Sequence, residues 1–149
     1  MSREYPLRPI VGVGAIVFSG GKVLMARRGN SPGLGNWSVP GGALKLGETL
    51  EDACKREVFE ETNLTVEVVS RCAALDRNTR DDWDRVQYHY VLVDFVCRPA
   101  GGTLQARSDA TEARWVSLED LDGLKPMTRG TARVILDAAE DMRVQNISF

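Results

Sequence analysis

Apolar and polar positions alternate so as to divide the chain into short strands and two helices. VGVGAIVF at 11–18 reads as a strand, GG at 20–21 as a tight turn, and KVLMARR at 22–28 as the hairpin partner. RGNSPGLGNWSVPGG at 28–42 is dense in glycine and proline, which marks a structured loop, with WSV at 37–39 as a short edge strand. TVEVVSRCAAL at 65–75 and VQYHYVLVDFVC at 86–97 are the next two strands, separated by the polar loop DRNTRDDWDR, and PAGG at 99–102 marks a turn. EARWV at 112–116 is a last short strand, SLEDL a helical turn, and MTRGTARVILDAAEDM at 127–142 a second helix despite Gly130. The order β-β-(β)-α-β-β-β-α predicts an α/β fold, a mixed sheet with helices against it, in one domain over residues 1–149.

The first helix raises a chemical question. Thr49 can cap it, with Asp52 as a shortened capping-box acid, and Asn63 supplies a left-handed stop after Thr62. On a wheel of about 100° per residue, Leu50 at 0° puts Cys54 near 40° and Val58 near 80°, while Glu57, Glu60 and Glu61 fall near 340°, 280° and 20°. Three like charges therefore border the stripe that the helix must bury, at spacings that cost a few tenths of a kcal/mol per pair. Glu60 and Glu61 also lie toward the helix C-terminus, where the backbone dipole disfavours anions. A hard divalent cation removes the penalty, because carboxylate oxygens are its preferred ligands. Magnesium binds phosphate oxygens as well, so the patch predicts a metal-dependent reaction at a phosphate. Arg56, at about 240°, points off the patch toward Glu48, where a bidentate pair would fix the preceding loop.

Composition narrows the setting. With 43% hydrophobic and 27% charged residues, the chain reads as globular rather than disordered, and its longest apolar run is far too short to span a bilayer. The start MSREYPLRPI lacks the apolar segment of a signal peptide. Cys54, Cys72 and Cys97 are odd in number and scattered, without zinc-site spacing, which suits inert thiols in a reducing cytoplasm. A net charge of -2 provides no global field to recruit a polyanion, so a phosphorylated ligand needs a local device. The basic residues form no track and no RNA-reading aromatic motif is present, which argues against a nucleic-acid partner.

The stretch GALKLGETLEDACKREVFEETNL resembles the motif of the Nudix hydrolases: Gly, five residues, Glu, seven residues, then Arg-Glu-apolar-any-Glu-Glu-any-Gly-apolar. Gly42, Glu48, Arg56, Glu57, Val58, Glu60, Glu61 and Leu64 stand at the required spacings, and the one departure is Asn63 in place of glycine. Asn is the non-glycine residue most tolerant of left-handed geometry, so a small stability cost is expected rather than loss of the site. The resemblance implies a single Nudix domain, an α/β/α sandwich with a mixed β-sheet, that hydrolyses a nucleoside diphosphate linked to another group. By the same resemblance Glu57, Glu60 and Glu61 would hold Mg²⁺, with Mn²⁺ as a substitute ion and the Gly41 carbonyl as a further ligand. Glu48 and Arg56 would form the structural pair. The base would be Glu57, or an acid of a later loop, for which Glu112 and Asp109 are the nearest candidates.

Around this motif, Arg27 and Arg28 end a strand just before the loop. Strand alternation sends them to opposite sides, so one of the two is a candidate for phosphate contact. Trp37 reads as an anchor for the loop or a stacking platform, Trp115 as core, and Trp83, among the charges of RDDWDR, as a ligand- or partner-facing residue. His89, the sole histidine, reads as packing or pocket lining. RRGNSPGLGNWSVPGG, YHYVLVDF and DATEARWV resemble the branch linked to ADP-ribose, implying cleavage to AMP and ribose 5-phosphate. The alternatives are a pyrophosphohydrolase of oxidised or non-standard nucleoside triphosphates and a nucleotide-binding domain without catalysis. The resemblance also admits a homodimer.

Overall fold

A computed structural model describes residues 2–148. Strands β1 (Ile10–Ser19) and β2 (Lys22–Arg28) form the expected hairpin, joined at Gly20 and Gly21. The loop that follows contributes two short strands, β3 (Trp37–Ser38) and β4 (Gly41–Ala43). Helix α1 spans Leu50–Thr62, and β5 (Leu64–Arg80) and β6 (Val86–Gly102) make a long antiparallel ribbon. Then come β7 (Ala110–Ser117), a 3-10 turn (Leu118–Gly123) and helix α2 (Thr131–Val144).

The sheet runs β3-β2-β1-β6-β5, with β4 paired to β1 and β7 paired to β2. Only β1 and β6 are parallel, Ile10 to Val17 lying beside Tyr90 to Cys97, so the sheet is mixed. Alternation along β1 then builds two cores. Val13, Ala15 and Val17 pack with Val93, Phe95 and the α1 residues Ala53, Cys54 and Val58. Ile16 and Phe18 pack with Val96 and the α2 residues Ile135, Ala138 and Met142. One helix covers each face, which makes the molecule an α/β/α sandwich.

Both ends of α1 are closed by local chemistry. The Thr49 hydroxyl accepts the Asp52 amide at 3.1 Å, and Asn63 takes the left-handed conformation (φ 64°) while its amide reaches the Phe59 carbonyl. The second helix starts later than its sequence pattern suggests, at Thr131, because Gly130 with φ 85° stands outside it as the N-cap. The polar loop expected between β5 and β6 is mostly strand: β5 continues to Arg80 and only residues 81–85 turn. PAGG is the end of β6 rather than a turn, with Pro99 opposite Val66 and Gly102 opposite Leu64. Backbone pairing needs no apolar side chains, so a ribbon can extend through polar sequence that periodicity marks as loop.

The three cysteines are free; Cys54 and Cys97 are buried with their sulfurs 3.7 Å apart, and burial pushes the Cys72 thiol up to about 12. Among the described residues no helix is long and apolar enough to cross a membrane.

Candidate active site

The site forms where α1 lies against β4. A Cβ on Gly42 would run into the Glu57 carboxylate, so only glycine lets that side chain rest on the strand. The same contact draws Glu57 in from water, leaving its side chain 13% exposed. One turn on, Glu61 is pushed up to about 8 by burial and then by the charge of Glu57 beside it; Arg28 and the Gly41 amide pull the other way. Two acids on one helix face thus share too little positive charge.

Arg56 organises the rest of the patch. Its Nε and Nη2 donate to the two oxygens of Glu48 at 2.6 and 2.9 Å, and Nη2 also reaches the Ala43 carbonyl at 3.0 Å. Glu48 in turn accepts the Lys45 amide, closing the loop ahead of α1, and the Arg56 guanidinium holds its carboxyl down to about 2. This is the structural pair expected from the spacing. The expectation that Arg56 points off the acid patch is corrected: Nη1 donates to Glu57 at 2.8 Å and to Glu60 at 3.2 Å. A helical wheel tracks the direction of Cβ, and the long guanidinium arm swings back across one turn of helix.

The far end of α1 is held from outside the helix. Its last turn contains no basic residue. Arg107 lies over the Phe59 ring at 4.7 Å, donates to the Phe59 carbonyl, and its own amide reaches the Glu61 carbonyl at 2.9 Å. A cation therefore stands at the negative end of the helix dipole, beneath the acids. Nothing local in the sequence marks Arg107 for this task, because its partners are some forty-six residues away.

The other candidates divide. Arg28 donates its Nε to the Pro32 carbonyl at 2.7 Å and its charge opposes the rise at Glu61, whereas Arg27 pairs with Glu112 at 3.1 Å; a bulge separates the two in their pairing with β7. Glu112 also accepts from Arg114, and these two arginines hold its carboxyl below the usual range. None of its hydrogen bonds reaches Glu57, Glu60 or Glu61. Asp109 instead accepts from Asn30 at 2.8 Å. Trp37 is core, 2% exposed, with Arg114 stacked at 4.5 Å; Trp115 is half-buried against the α1 core. Trp83 is 80% exposed at the outer end of the β5–β6 ribbon. From Val86 to Asp94 the strand alone spans about 26 Å, so Trp83 is not brought to the acids. His89 is half-buried on β6.

The acid patch fits a hard cation by its donors: all are oxygen, and Glu61 keeps a proton where a positive charge is missing. Among the described residues no three side chains already converge as a closed cage, since Glu57 and Glu60 are turned to Arg56. Glu57, Glu60, Glu61 and the Gly41 carbonyl are the groups that could hold such an ion.

Comparison with known proteins agrees with this geometry. The family model of the NUDIX domain matches residues 8–138. The chain is 36% identical over 118 residues to an ADP-ribose pyrophosphatase of Methanocaldococcus jannaschii, covering 79% of this chain and 68% of that protein. It is 32% identical over 135 residues to a MutT-like protein of Streptomyces ambofaciens, covering 91% and 79%. A crystal structure of an ADP-ribose pyrophosphatase from Streptococcus suis superposes with a TM-score of 0.73 at 27% identity, covering 95% of this chain and 97% of that one. The chain belongs to the Nudix family and is a hydrolase acting on phosphorus anhydrides of nucleotide-type substrates.

Proposed function

We propose that this hydrolase cleaves the diphosphate of a nucleoside diphosphate joined to a second group, with ADP-ribose as the substrate and AMP and ribose 5-phosphate as products. The observation that carries the reading is the pair Glu57 and Glu61, pressed against a glycine strand with too little positive charge between them. A pyrophosphate resists hydrolysis because its anionic oxygens repel a nucleophile; Glu57, Glu60, Glu61 and the Gly41 carbonyl would hold Mg²⁺, which would supply charge neutralisation and acidify water there. Mn²⁺ is the natural substitute ion.

The chain's own residues do the remaining work. Arg28, whose charge acts on Glu61 and whose Nε is held by the Pro32 carbonyl, would offer its remaining guanidinium N–H groups to a phosphate oxygen as charge accumulates on the leaving group. Arg56 and Glu48 hold the loop and set the position of Glu57 and Glu60. Glu57 is the better base than Glu112, whose carboxylate is engaged by two arginines away from the acids.

ADP-ribose as substrate is supported by the names of the Methanocaldococcus and Streptococcus relatives. A relative named oxidized purine nucleoside triphosphate hydrolase, from Danio rerio and 26% identical over 107 residues, favours the second reading, release of pyrophosphate from an oxidised or non-standard nucleoside triphosphate. A substrate panel with Mg²⁺ separates them. AMP with ribose 5-phosphate from ADP-ribose supports the first; preferred release of pyrophosphate from triphosphates replaces it with the second; binding without turnover across the panel leaves a non-catalytic domain.

A further inference from the structure

Helix α1 carries Glu60 and Glu61 in a last turn that has no basic residue of its own, and the strap from β6 to β7, residues 103–109, supplies what that turn lacks. The Gln105 amide donates to the Thr62 carbonyl and the Arg107 amide to the Glu61 carbonyl, each at 2.9 Å. The Arg107 side chain adds a third closure, its Nη2 reaching the Phe59 carbonyl at 2.5 Å while the guanidinium lies over the Phe59 ring. Asn63, which stands where the motif has glycine, donates its Nδ2 to the Thr103 carbonyl at 2.9 Å, a tie that glycine cannot make. The far end of the strap is fixed as well: the Asp109 carbonyl accepts the Gly29 amide at 2.7 Å, and its carboxylate accepts Asn30 at 2.8 Å.

Two details set Arg107 apart within this strap. Its Nε is shut off from water with no acceptor among the described residues, a cost that an arginine free in solvent does not bear. It also approaches from behind: at about 100° per residue, Phe59 stands roughly 160° around α1 from both Glu57 and Glu61. The guanidinium therefore answers the open carbonyl end of the helix from the side away from those acids, and leaves their attraction for a cation intact. A carboxylate binds a metal well only where its backbone is held, and groups outside the ligand set contribute to affinity by holding it.

We propose that Arg107 is a positioning residue for the metal site, clamping the last turn of α1 from behind so that Glu60 and Glu61 are held in place for the ion, with the Asn63 side chain as the second tie of the same clamp. This rests on the assignment of the acids to a divalent cation.

The test is Mn²⁺ binding to the full chain without substrate, followed by electron paramagnetic resonance, with amide hydrogen exchange of the metal-free protein alongside. Arg107→Ala should raise the Kd for Mn²⁺ by about tenfold or more, the scale for groups that orient ligands. The Asn63 amide, which closes on the Phe59 carbonyl, should then exchange faster. Ile135→Val, in the core under the other helix, controls for lowered stability and should leave the Kd within about twofold, as for a distant site. Asn63→Gly keeps the left-handed stop and removes only the side-chain tie, so it folds even where Arg107→Ala does not; it should raise the Kd about threefold, the scale of one hydrogen bond. A wild-type Kd in Arg107→Ala overturns the proposal. So does an equal rise in Ile135→Val, or an unchanged Kd in Asn63→Gly where Arg107→Ala does not fold. If the wild-type chain itself binds no Mn²⁺, the cation assignment fails and the proposal falls with it.

Discussion

The acid patch has two halves that use the same residue type to opposite ends. Around Glu48 the chain completes its own chemistry: Arg56 forks both oxygens, the Lys45 amide adds a third donor, and the carboxyl sits near 2. At Glu61 the chain leaves the chemistry unfinished, and the same kind of side chain sits near 8 because burial and Glu57 outweigh Arg28. The difference teaches which acids serve the fold and which await a partner. An acid with its donors in place is architecture, whereas one whose charge is uncompensated is where an ion or substrate contributes what the chain does not.

The largest effect should come from the unfinished half. Glu61→Gln or Glu57→Gln is expected to lower turnover of a diphosphate substrate by about 10²–10³-fold, the scale of losing one electrostatic contributor. Glu61→Gln should keep or raise the melting temperature without metal, because it removes a buried acid. Near-wild-type turnover in both variants would end the distinction. Arg56→Ala should cost about 10–100-fold in activity, as for groups that orient ligands, and unlike Glu61→Gln it should lower the melting temperature, since three acids lose their donor at once. Lys at this position should rescue poorly, because a point charge cannot fork Glu48 while reaching Glu57.

A pH series sharpens the contrast. Glu61 is raised in the folded state, so the metal-free chain holds a proton that the unfolded chain releases. Its contribution is complete below about 4.5 and is lost as pH rises toward 8, with a slope of at most about 1.4 kcal/mol per pH unit. Glu48 is depressed, so its contribution is present above about 4.5 and is lost as pH falls toward 2. Thermal melts without metal should therefore decline from pH 5 to pH 8, and Mg²⁺ should raise the melting temperature more at pH 8 than at pH 6. Equal stabilisation at both would detach Glu61 from the cation. The smallest effect should come from Glu112→Gln. Its carboxylate is exposed and bonded to Arg27 and Arg114 rather than to the acids, so kcat should stay within about threefold of wild type, the scale of a weak surface ion pair. A loss of a hundredfold would return Glu112 to the reaction.

What could be read in advance followed from short range. The Thr49 cap, the Asn63 stop and the Glu48–Arg56 pairing depend on residues within one or two turns of each other, where spacing alone implies contact. The extension of β5 through DRNTR could not be read in this way, because its stability comes from pairing with β6 rather than from its own side chains. Nor could the reach of Arg56 to Glu57 and Glu60, which depends on how a flexible arm settles once β4 is in place.

The amino-acid sequence by itself determined the acid-bearing helix, its ends and the crowding of like charge along it, since charge spacing on a helix is a local property. Tertiary structure decided which acid is left uncompensated and that Arg107 secures the helix from beyond the ribbon. Those outcomes depend on burial and on contacts between residues far apart in the chain, and desolvation has no value until the surrounding strands are packed.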